Sequence, residues 1–99
     1  MLAGIKKFLG QFRTVTKIDE SCSVIRWGRD EYKYLEGGRA LMFQAEMLSG
    51  YPQRVIYSRT IKQWLPPHEN EIITDEKRKE ILQRVCKYFD LNHISYTVG

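Results

Sequence analysis

The sequence predicts an α+β domain: a twisted antiparallel sheet of about five or six strands, with a short N-terminal helix and a long C-terminal helix packed on one face. Three observations predict it. Gly37-Gly38 separates two runs of strand-forming residues. Further short alternating runs lie on both sides, divided by turn residues. One long stretch, 74–91, repeats its apolar residues at helical spacing behind Thr74. A run of strands followed by a helix is the α+β pattern.

The hairpin at 31–47 organises the rest. A two-residue type I′ loop needs positive φ at both positions, which glycine adopts freely. That loop pairs Glu36 with Arg39, Leu35 with Ala40, Tyr34 with Leu41, Lys33 with Met42 and Tyr32 with Phe43. One face then carries Tyr32, Tyr34, Leu41 and Phe43 and ends in the opposite charges of Glu36 and Arg39. The other carries Lys33, Leu35, Ala40 and Met42. A slip of one residue would mix the two sets, so turn and pattern specify one register.

Along the chain, residues 1–12 place Met1, Leu2, Ile5, Phe8, Leu9 and Phe12 at helical spacing, with Lys6 and Lys7 opposite. This amphipathic helix is read as packing on its own sheet; docking on a membrane surface or a partner is the other reading. Residues 13–18 alternate around Val15 and Ile18 as a first strand. Asp19-Glu20-Ser21 is a turn, and 23–27 is a second strand with Val24 on one face and Ile25 and Trp27 on the other. Gly28-Arg29-Asp30 turns into the hairpin. Pro52 cannot donate to a ladder, so the next strand begins after it, at 54–61. There Val55, Tyr57, Arg59 and Ile61 share one face; Arg54, Ile56, Ser58 and Thr60 share the other. Residues 65–71, with Pro66 and Pro67, form a stiff loop. Helix 74–91 is N-capped by Thr74, with Asp75 and Glu76 at its positive end and Ile81, Leu82, Val85 and Phe89 as its stripe. Asn92 is the expected left-handed stop. In the last run, 93–98, Ile94, Tyr96 and Val98 point inward and add a strand.

Ninety-nine residues are read as one domain, 1–99, able to bury one modest core. The net charge is +4, and no run of Lys and Arg exceeds Lys77-Arg78-Lys79. Cys22 and Cys86 stand far apart and are read as reduced thiols, so the expected location is the cytoplasm. Lys6 and Lys7 interrupt the first apolar stretch, which argues against a signal peptide, and no segment is long and apolar enough to span a membrane.

Catalysis and metal binding leave recognisable spacings, and they are not here. His68 and His93 are far apart, and there is no GxSxG, P-loop, GxGxxG or HExxH. The reading is a non-enzyme with no cofactor and no metal. His68 with Glu69, and Arg59 or Arg39, would be the cast of a motif-free nuclease. Nucleic-acid binding calls for aromatic residues interleaved with bases on one strand face. Tyr57 with Arg59, and Tyr32 with Tyr34, are the pairs available, but their neighbours look like core. The uneven feature is 69–76, which holds Glu69, Glu71, Asp75 and Glu76 and no base. It either serves the helix N-terminus or offers an acidic surface to a basic partner. The proline loop beside it is either a connector or a stiff binding element.

Taken together, Glu36-Gly37-Gly38-Arg39, Glu46-Met47-Leu48, Gly50, Val55-Ile56-Tyr57, Ile61, Trp64, Pro66-Pro67-His68-Glu69 and the Thr74-Asp75-Glu76 helix start resemble small bacterial immunity proteins of polymorphic toxin systems, of the kind encoded beside contact-dependent growth inhibition toxins. The likeness spans 31–98. It implies a cytoplasmic, non-enzymatic protein, a monomer or weak dimer. The protein binds a cognate toxin C-terminal domain, often a nuclease, and neutralises it by occlusion. No stable nucleic-acid partner is expected. Contact residues vary within such families, so none carries over by position. Trp64, His68, Glu69 and Glu71 are the contact residues expected from this sequence. A +4 inhibitor of a basic nuclease site must use a local acidic patch, bind away from the cleft, or face an acidic toxin. A small basic nucleic-acid-binding domain is the alternative.

Overall fold

The computed structural model describes residues 15–99; the N-terminal helix expected over 1–12 lies outside them. Six strands form one open sheet in chain order: β1 (Val15–Lys17), β2 (Cys22–Arg26), β3 (Glu31–Glu36), β4 (Arg39–Met47), β5 (Arg54–Tyr57) and β6 (Tyr96–Val98). One long helix, α1 (Asp75–Leu91), precedes β6.

The hairpin takes the register read from the sequence, with all five predicted pairs from Glu36–Arg39 to Tyr32–Phe43. Gly37 and Gly38 have φ of 54° and 80°, both in the region a type I′ loop requires. Tyr32, Tyr34, Leu41 and Phe43 are buried, while their alternates Lys33, Leu35, Ala40 and Met42 are half-buried on the other face. The core lies between that buried face, joined by Val24, Ala45 and Ile56, and the α1 stripe of Ile81, Val85, Tyr88 and Phe89. The Tyr32 ring centroid stands 5.3 Å from Phe89 and 5.7 Å from Tyr88, both edge-on, and 5.4 Å from Phe43, stacked.

Four details depart from expectation. First, the sheet is not wholly antiparallel, because β6 runs parallel to β5. Hairpin-joined strands must alternate in direction, but β5 and β6 are joined by a long crossover containing α1. That crossover returns the chain to the end where β5 began. Second, the run 54–61 is not one strand. It breaks after Tyr57 into a 3-10 turn, Ser58–Thr60, closed by the Ile61 N–H on the Ser58 carbonyl (3.0 Å). The turn resets the side-chain phase, so Arg54, Ile56 and Ile61 are all buried, while Val55 is half-buried on the opposite face. Third, Asn92 has φ −97° and is not left-handed; His93 takes that conformation at φ 56°. Asn92 instead turns its amide back onto the Tyr88 carbonyl (2.8 Å). Fourth, β1 ends at Lys17, before Ile18, and β6 is shorter than the alternating run 93–98 suggested. Val15 and Val98 are exposed at the two sheet edges, and Ile18 enters the core.

Candidate functional site

β4 is long, and β5 pairs only with its second half, Gln44 to Met47. The edge of its first half would stand open. The 3-10 turn and the residues after it cover it: Thr60 Oγ1 accepts from Gln44 N–H (3.0 Å) where the β5 pairing ends, and Leu65 N–H donates to the Ala40 carbonyl (2.7 Å) in the first half. This return path carries Trp64 over the buried face, where it stacks on Tyr34 with ring centroids 6.5 Å apart.

The proline loop is therefore closed at its base. A Gln63–Ile72 bridge joins its two ends. Inside it, His68 N–H donates to the Leu65 carbonyl and Glu71 N–H to the His68 carbonyl, both at 3.0 Å. Arg39, the last residue of the glycine turn, grips the loop from outside. Its Nε and Nη2 donate to the two Glu71 carboxylate oxygens at 2.7 and 3.1 Å. A planar guanidinium facing a carboxylate this way fixes orientation as well as distance. The Arg39 hydrogen bond holds the Glu71 carboxyl below its ordinary value.

The expected contact residues thus have different surroundings. His68 and Glu69 are half-buried on the loop, Glu71 is exposed but held by Arg39, and Trp64 is only 5% exposed. Ile72, which sequence reasoning passed over, stands 87% exposed at the loop's end. Trp64 and Glu69 line one groove of about 410 Å³ with Met42 and Lys62.

The acidic stretch is not an unpaired negative patch. Arg39 neutralises Glu71, and Arg78 reaches Asp75 at 3.0 Å. Among the described residues, Glu69 and Glu76 have no ion pair. A stretch without bases in sequence meets bases brought by the fold. Glu36 and Arg39 are register partners across the hairpin, but their side chains take other ionic partners. Glu36 turns to α1, where Lys77 Nζ and Arg84 Nη1 (2.9 Å) both donate to it, along with Tyr34 Oη. Arg84 also holds Glu80 at 2.9 Å. Burial pushes the Glu36 carboxyl up, but the bonds from Lys77 and Tyr34 outweigh it, and the net displacement is downward.

The aromatic pairs weighed for nucleic acid separate here. Tyr32 and Tyr34 are core residues at 1% and 0% exposure, so no base can stack on them. Tyr57 is half-buried beneath the Arg59 guanidinium, 4.8 Å from its ring centroid. Among the described residues no three His, Cys, Asp or Glu side chains converge on a metal-sized site, and no helix is long and apolar enough to cross a membrane.

Neither the curated proteins nor the solved structures contain a match to this chain. A family model does match: Immunity protein 74, over residues 24–98, from the second strand through the last. Families of this kind act by binding toxins rather than by catalysis. That match covers most of the chain, and this chain belongs to the Immunity protein 74 family, an immunity protein family of toxin systems.

Proposed function

We propose that this protein binds the C-terminal domain of a cognate toxin, a nuclease of a contact-dependent growth inhibition system, and neutralises it by occlusion in the cytoplasm. The family match over residues 24–98 carries the reading. The proline loop is the contact element: His68, Glu69 and Glu71 face the toxin, and buried Trp64 fixes the loop to the core from below. A loop latched at both ends loses little entropy on binding. Glu69 supplies unpaired negative charge for a basic nuclease surface, whereas Glu71 would have to exchange Arg39 for a toxin cation. The protein acts as a monomer or weak dimer.

The test is co-expression with the neighbouring toxin domain and affinity capture. Stoichiometric capture that survives high salt, with loss of toxin activity, is expected. Charge reversal at Glu69 and Glu71 is expected to slow association and change its salt dependence, since screening then relieves repulsion instead of weakening attraction. Capture of DNA or RNA alone, released at moderate salt, would replace this reading with the nucleic-acid one.

A further inference from the structure

The end of the sheet opposite the proline loop has a different chemistry. β4 runs the whole way between them, so the two ends lie roughly 27 Å apart, eight steps of about 3.3–3.4 Å between its nine residues. At the far end, in and just after β4, two large apolar side chains are left exposed: Met47 (41%) and Tyr51 (91%). A pocket of about 410 Å³ with mixed walls opens there: Met47, Leu48 and Ile94 are apolar, Gln53 is polar, and Arg26 and Arg54 bring positive charge.

The arginines are not equally satisfied. Arg54 has a side chain only 5% exposed, and its Nη1 donates to the Arg29 and Ala45 carbonyls, both at 2.8 Å. Its one carboxylate neighbour is Asp30 at 3.5 Å, and Asp30 already accepts from Met47 N–H at 3.0 Å. Arg26 donates Nε to the Gly28 carbonyl at 3.2 Å, and among the described residues it has no carboxylate within ion-pair distance. Two guanidinium groups therefore line the pocket, and of the two only Arg54 has a carboxylate neighbour, Asp30 at 3.5 Å. Positive charge in such surroundings favours an anion, because low local dielectric strengthens the attraction.

We propose that this pocket receives a carboxylate side chain of the toxin, with the exposed apolar residues around it, Tyr51 foremost, packing against the flanking toxin surface. The proposal rests on the immunity reading. Tyr, Trp, Met and Arg are the side chains enriched where protein interfaces are most buried, and a planar guanidinium suits a carboxylate. A phosphate backbone would call for a row of surface cations, whereas here two guanidinium groups share one pocket and the Arg54 side chain is buried.

The experiment measures affinity of the co-expressed toxin domain for wild type and for Arg26→Glu, Tyr51→Ala and Glu69→Lys, with each variant's fold checked by circular dichroism. Tyr51 is so exposed that its removal leaves the fold intact. Arg26→Glu and Tyr51→Ala are each expected to weaken binding by about tenfold or more. A toxin Asp or Glu changed to Arg should restore affinity to Arg26→Glu. If wild type binds the toxin and both variants bind as tightly, the pocket is not in the interface. If wild type does not bind the toxin at all, the immunity reading itself fails, and this proposal with it. Retention on duplex DNA that Arg26→Glu abolishes would assign the pocket to phosphate and overturn the proposal.

Discussion

The two ends of the sheet handle charge in opposite ways. At the proline-loop end, charged side chains meet each other across elements: Arg39 with Glu71, Arg78 with Asp75, and Glu36 with Lys77 and Arg84. At the Tyr51 end, the buried cation is held mainly by backbone carbonyls. Arg54 ties the Arg29 carbonyl to the Ala45 carbonyl and lies over the Tyr32 ring, 5.5 Å from its centroid. Side chain–side chain pairs at a half-exposed surface exchange readily with water or a partner. A buried guanidinium on carbonyls cannot leave without stranding acceptors. The first end is built for adjustment; the second is a rigid frame around its pocket.

Three substitutions test this contrast. The largest effect is expected from Arg54→Ala. It strands two carbonyls and removes the cation over Tyr32, and should lower unfolding stability by about 3 kcal/mol in chemical denaturation. A loss no greater than that of a surface change would mean that the Tyr51 end is not framed by this residue.

Glu36→Gln comes next, at about 2 kcal/mol, because one carboxylate serves Lys77, Arg84 and Tyr34 between sheet and helix. Its pH dependence has a defined sign. The folded carboxyl titrates below its ordinary 4.5, so its contribution is full above that value. It disappears as pH falls through the lowered folded value. The gap between wild type and Glu36→Gln in thermal melts should therefore be constant near neutrality and close in acid. A gap that held in acid would show that the carboxylate's charge is not what stabilises the junction.

Glu71→Gln should have the smallest effect on stability, since Arg39 and Glu71 are both solvent-exposed. Its mark should be local: faster hydrogen exchange in the loop's amides with little change in melting temperature. Loss of the whole fold's stability would make the latch structural rather than adjustable.

Much of this fold is legible residue by residue. The hairpin is, because Gly37-Gly38 and two alternating runs admit one register, and local chemistry decides both. Helix α1 is, because Thr74 accepts from Lys77 N–H at 3.1 Å as its capping position implies, and the predicted stripe faces the core. The break after Tyr57 was not legible, because alternation continues in the sequence after the backbone stops being a strand. The position of Arg54 beside Ile56 was the one signal that pointed to the Tyr51 end, since alternation already put that arginine on a face whose neighbour is apolar. Of the expected contact residues, Trp64, beside the stiff loop, is buried by the return of the chain along β4.

The sequence by itself determined the elements whose causes are local: the glycine turn and its register, the capped helix and its apolar stripe, the breaks at prolines, and the family resemblance carried by 31–98. Only the tertiary structure decided the rest. It set β6 parallel to β5, since direction follows from where the helix returns the chain. It gave Glu71 and Glu36 their partners, since an ion pair joins residues that sequence spacing cannot bring together. It brought Met47, Gln53 and Ile94 into one pocket with Arg26 and Arg54, because a surface is defined by neighbours in space and not along the chain.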